Sequence, residues 1–149
     1  MSKFLDSLYV EEISDSVFCV AYQPFQYQSD LLGKTIIVPI GFYTDFASVP
    51  RWMPLMYALL GDTAHEPAVI HDWLYYSAIT DRETSDKILL EAMETFGMPS
   101  WRFLPIYWGV RMGGWAAWNK HRKDGNPQSG KFDYSPNIAA SALLKSVPQ

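Results

Sequence analysis

Ala68-Val69-Ile70-His71-Asp72-Trp73-Leu74-Tyr75, followed by Thr80-Asp81-Arg82-Glu83, decides the fold. Ala68, His71, Asp72 and Tyr75 stand at i, i+3, i+4 and i+7, so they share one face of a helix. Val69, Ile70, Trp73 and Leu74 fill its flanks. Asp62 or Thr63 is the expected cap, and Pro67 lies close enough to the start to be tolerated. Thr80-Asp81-Arg82-Glu83 reads as a capping box, the Thr80 hydroxyl answered three residues on by Glu83. It opens a second helix ending at Phe96, with Gly97 beyond it. Pro99-Ser100-Trp101 opens the longest helix, to about Lys120. Close backbone packing or an interruption is expected at Gly113-Gly114, since each glycine costs about 1 kcal/mol relative to alanine. Further upstream, Ser48 and Pro50 suit the cap and first position of a short helix over 52–60, stopped by Gly61.

Before residue 46 the period changes. Val17-Phe18-Cys19-Val20-Ala21-Tyr22 and Thr35-Ile36-Ile37-Val38-Pro39-Ile40 are short apolar runs rich in β-branched residues, with a turn at Leu32-Gly33-Lys34. Pro39 and Gly41 punctuate before Phe42-Tyr43-Thr44-Asp45-Phe46. The fold class is therefore α+β: a small N-terminal antiparallel sheet (about 8–46), then three to four helices (about 50–120). The expected domain spans 1–122. Residues 123–149 form a polar loop and a tail that contacts partners, with a short amphipathic helix over 138–144.

Composition narrows the classes. The chain has 149 residues, enough for one core, and 48% apolar residues exclude a disordered chain. A net charge of −4 argues against nucleic acid as partner, and no apolar run approaches the ~20 residues of a membrane span. Met1-Ser2-Lys3-Phe4-Leu5-Asp6 lacks the apolar stretch of a signal peptide, and a lone Cys19 forms no intramolecular disulfide. Lys120-His121-Arg122-Lys123 is a basic patch that offsets a helix dipole.

The same spacing puts charges on apolar faces. Asp86 falls in register with Leu89, Leu90 and Met93, leaving Glu83, Lys87, Glu91 and Glu94 on the wet side. Arg111 falls in line with Leu104, Tyr107, Trp108 and Trp115. A charge on a core face needs a partner, because an isolated buried one costs several kcal/mol. A short link makes the His71 and Asp86 helices pack antiparallel, bringing His71, Asp72, Asp86 and Arg111 together, with Asp45 joining from its loop. The cluster reads either as an internal lock that docks three helices, or as a site. In the site, Asp86 orients His71 while Asp72 and Asp45 hold a cation or a polar substrate. Trp101, Trp108 and Trp115 recur every seven residues, with Trp118 one turn on. They either pack on the sheet or form a contact surface for another chain.

These residues carry a resemblance. Gly41-Phe42-Tyr43-Thr44-Asp45-Phe46-Ala47-Ser48-Val49-Pro50-Arg51, then Ala68 to Tyr75, then Arg82-Glu83-Thr84-Ser85-Asp86, and later Val110-Arg111 follow one order. This order resembles a phage and prophage family known only as a domain of unknown function. The resemblance implies a phage origin, synthesis in the host cytoplasm, and no established activity. His71-Asp72-x-x-Tyr75 also resembles, more locally, the helix of small calcium-dependent phospholipases. That likeness implies His71 as base, Asp86 and Tyr75 as its orienting network, and calcium on Asp72, with Asp45 beside it. The single cysteine and single loop glycine depart from that second family. The leading expectation is a virion-associated or accessory interaction module that contacts other phage structural proteins or itself through Trp101, Trp108, Trp115 and Trp118. The alternative is a metal-assisted hydrolase of lipid or envelope esters.

Overall fold

A computed structural model describes residues 1–14, 17–44 and 65–124. Six strands come first: β1 (Lys3–Phe4), β2 (Val10–Ser14), β3 (Val17–Val20), β4 (Phe25–Ser29), β5 (Lys34–Val38) and β6 (Tyr43–Thr44). Three helices follow among the described residues: α1 (His65–Ser77), α2 (Arg82–Thr95) and α3 (Ser100–Lys123). The class is α+β. The expected single sheet is in fact two antiparallel three-stranded sheets, ordered β1-β4-β5 and β2-β3-β6. The expected helices over 52–60 and 138–144, and Asp45, lie outside the described residues, as does all but the start of the 123–149 tail.

Period-2 alternation builds the β4–β5 hairpin. Phe25, Tyr27 and Ser29 are buried while Gln26 and Gln28 are half-buried, and across the pair Phe25 faces Val38 and Tyr27 faces Ile36. Gly33 closes the turn at φ 66°, a left-handed conformation that glycine adopts without strain. The inner face of this hairpin meets Val69, Ile70 and Leu74 of α1 and Ile88 of α2 in the main core. Leu89 and Met93 of α2 form a second, smaller core with Met98 and with Ile106 of α3.

Glu91 is not on the wet side. Its Oε1 accepts the buried Tyr27 hydroxyl at 2.9 Å and its Oε2 accepts the Leu31 amide at 2.9 Å, tying the hairpin to α2. A phenol carried into the interior needs an acceptor, and α2 supplies one.

The cap of α2 also differs by one residue. Asp81, not Thr80, is the N-cap, and its carboxylate accepts both the Thr84 amide (2.9 Å) and the Thr84 hydroxyl (2.7 Å). A two-oxygen carboxylate at that position answers two donors where a hydroxyl would answer one. At the far end Gly97 sits at φ 90°, with the Met98 amide donating to Met93 and closing the last turn.

α3 runs through Gly113-Gly114 without a break. Its fully buried residues are Ile106, Gly109, Gly113 and Gly114, flanked by Phe103 and Tyr107, which pack on the smaller core. The expected stripe is split: Tyr107 and Arg111 turn inward, whereas Leu104, Trp108 and Trp115 are exposed. Near its end, Arg122 donates to the carbonyls of Tyr75 (2.7 Å) and Tyr76 (2.8 Å), and its guanidinium lies 4.5 Å from the Trp118 ring. α1 has no basic residue in its own last turn, so α3 provides the cation for its C-terminus. No helix among the described residues is long and apolar enough to cross a membrane.

Candidate functional site

Asp86 projects from the second turn of α2 and is fully buried. Three helices answer its carboxylate. From α1, His71 Nε2 lies 2.9 Å and the Tyr75 hydroxyl 2.6 Å from Oδ1. From α3, Arg111 reaches Oδ2 at 2.7 Å. Arg82, one turn earlier on α2, approaches Oδ2 at 3.5 Å and donates to the Arg111 carbonyl at 3.3 Å. The i, i+3, i+4 spacing of α1 explains why His71 and Tyr75 arrive together, their ring centroids 4.1 Å apart and the rings tilted by 45°.

The electrostatics follow from that crowding of donors. Burial alone pushes the Asp86 carboxyl up. The hydrogen bond and charge of His71, with Tyr75 and Arg111, outweigh it and hold the group below the usual carboxylate range. Burial, reinforced by the Asp86 hydrogen bond and charge, drives the Tyr75 phenol up, so it stays a donor. Its hydrogen bond to Asp86 likewise raises Arg111. An ionised carboxylate only accepts, which makes His71 Nε2 the protonated nitrogen. In the neutral ring the lone pair then sits on Nδ1. That nitrogen has no hydrogen bond among the described residues.

A family model described as "Protein of unknown function (DUF1353)" matches residues 20–110. The chain belongs to this family. The match starts at the end of β3, takes in His71, Tyr75, Arg82 and Asp86, and stops one residue short of Arg111. No curated protein and no solved structure matches the chain.

In this DUF1353 member the sequence-derived residues divide into three groups. His71, Tyr75, Asp86 and Arg111 meet at one carboxylate. Asp72, also buried, turns to β6 instead, where the Thr44 hydroxyl donates to its Oδ2 at 2.6 Å. Adjacent helical residues diverge by about 100°, so His71 and Asp72 address different neighbours. No group of three or more His, Cys, Asp or Glu among the described residues is placed to hold a metal ion. Trp101, Trp108 and Trp115 are 68%, 60% and 58% exposed, whereas Trp118 stands edge-on to Tyr75 at 5.3 Å beneath Arg122.

Sequence reasoning missed the roles of three participants, Arg82, Thr44 and Arg122. Arg82 was readable, because Arg at i and Asp at i+4 pair on one helix face. Thr44 and Arg122 lie 28 and 47 residues from their partners Asp72 and Tyr75, and no local pattern marks them. At Gly113-Gly114, where close packing or a break was expected, the helix continues and the packing is what is found. A Cβ on Gly114 would run into the Tyr75 hydroxyl and come within 3.3 Å of Tyr75 Cζ, so the glycine is what admits Tyr75.

Proposed function

We propose that the protein is a small accessory bacteriophage protein, virion-associated, that works by docking through α3, with the Asp86 cluster as the brace beneath. The phage assignment rests on the strings around Thr44 and His71 that resemble the phage and prophage family. One observation carries the docking role. Trp101, Leu104, Trp108, Met112 and Trp115 recur every three to four residues on α3 and are all exposed, Met112 by 73%. Large apolar side chains gathered on one face, when the core has its own, mark a contact surface. The brace suits such a face: Asp86–Arg111 and Arg122 on the α1 carbonyls hold α3 at both its middle and its end.

The test uses the phage that encodes the protein. Trp101→Ser, Trp108→Ser and Trp115→Ser together should leave circular dichroism and melting temperature nearly unchanged, since the three side chains are mostly in solvent. Plating efficiency should fall by about tenfold or more, the loss of a few buried aromatic contacts. Wild-type plating by the triple variant overturns the docking role.

A second reading is ester hydrolysis with His71 as general base, oriented by Asp86 and Tyr75. It is favoured by the Nδ1 of His71, unpartnered among the described residues on an imidazole whose other nitrogen is fixed by a buried carboxylate. Asp45, the other expected calcium ligand, lies outside the described residues, so no step is routed through that ion. Turnover of a phospholipid or chromogenic ester by the wild type, abolished in a folded His71→Asn, is the expected result. Absence of turnover with and without added calcium sinks this reading.

A further inference from the structure

The outward pole of α3 combines two properties that the brace does not need. One is its apolar run from Trp101 to Trp115, roughly 20 Å of helix at 1.5 Å per residue. The other is its charge. α3 contains Arg102, Arg111, Lys120, Arg122 and Lys123 and neither Asp nor Glu, in a chain whose net charge is −4. Arg111 is turned inward to Asp86, and Arg122, though exposed, is tied to the α1 carbonyls. Lys120 and Lys123 stay exposed just beyond the aromatic run.

We infer that this face lies on an anionic lipid surface, which names the partner of the docking role proposed above and rests on it. Tryptophan suits the headgroup level of a bilayer, where its ring body is apolar and its N–H wet. A helix with one apolar pole and basic neighbours beds in the interface plane without spanning it, and each nearby lysine adds attraction to anionic headgroups. The pole of a single helix is a ridge, and a fluid surface receives a ridge with no matching groove. A second copy docking by the same face would set Lys120 and Lys123 of one α3 against another helix that carries no acid within it, Asp124 standing just past its end.

The experiment mixes the full chain with phosphatidylcholine vesicles, with and without phosphatidylglycerol. Sedimentation, tryptophan emission and, without lipid, analytical ultracentrifugation are the readouts. Co-sedimentation with the anionic vesicles, a blue shift and weakening by salt are expected. Lys120→Glu with Lys123→Glu, and separately Trp108→Ser with Met112→Ser, should each cut partitioning about tenfold. Circular dichroism confirms that the variants fold. Failure to sediment overturns the inference, as does equal binding to purely zwitterionic vesicles. A lipid-free dimer whose emission vesicles do not change also overturns it and assigns the face to a second copy. If wild type ignores vesicles while the tryptophan variants still impair plating, the lipid partner falls and docking stands. If plating is also normal, both fall.

Discussion

Asp86→Asn is expected to lower the unfolding free energy by about 3–5 kcal/mol, the range for removing one partner from a buried ionic cluster. The asparagine keeps the shape and loses the charge. Its amide nitrogen then confronts donors: His71 Nε2 and Tyr75 on one side, or Arg111 and Arg82 on the other. Turned toward the arginines, the amide nitrogen leaves Arg111 and Arg82 without an acceptor; turned the other way, it forces Tyr75 and His71 to reverse their roles. In both cases the Arg111 guanidinium loses its counter-ion. Urea denaturation followed by circular dichroism measures the loss, and a change under 1 kcal/mol would remove the cluster from its role as brace. The pH dependence provides an independent check. Folding depresses the Asp86 carboxyl, whereas an unfolded aspartate titrates near about 4. Below that pH the unfolded chain holds the extra proton, so this contribution to stability is present above about pH 4 and is lost as pH falls through the folded value. Asp30, Asp81 and Glu83 are depressed as well, so the signature is the difference between wild type and Asp86→Asn. That difference should shrink as pH falls below about 4.

Gly114→Ala is expected to destabilise by about 1–3 kcal/mol, the cost of overpacking a close contact. Helix propensity alone gives the opposite sign, a gain of about 1 kcal/mol. The contact wins because the atom in the way is the hydroxyl of a rigid, fully buried ring that is also bonded to Asp86. Displacing it pulls Tyr75 from the carboxylate. In a Tyr75→Phe background the hydroxyl is gone, and the alanine should cost clearly less. A double-mutant cycle in urea reads this coupling. Stabilisation by the single Gly114→Ala substitution would show that α1 and α3 do not approach this closely.

Local pattern made the helical half legible. The i, i+3, i+4 spacing of α1 and α2 put His71, Tyr75 and Asp86 on core faces, and a charge there had to be answered, which brought in Arg111. The strands were harder. β4 reads Phe25-Gln26-Tyr27-Gln28-Ser29, an alternation with two apolar residues, and β1 is two residues long. Neither stands out until its partners are in place. The splitting of the strands into two sheets depends on pairings far apart in the chain, such as Lys3 with Gln28. For α3 the tryptophan heptad was open to two readings, packing on the sheet or a contact surface, and no local pattern chooses between them. Trp101, Trp108 and Trp115 stand exposed, and Gly113-Gly114, where close packing or a break was expected, is where α3 closes on Tyr75.

One carboxylate shared among three helices also couples their docking. Without α3, a paired α1 and α2 would hold Asp86 against His71, Tyr75 and the distant Arg82 but without its nearest cation. Docking of α3 both covers that carboxylate and supplies its nearest cation, so Arg111 links the burial of Asp86 to the arrival of the last helix.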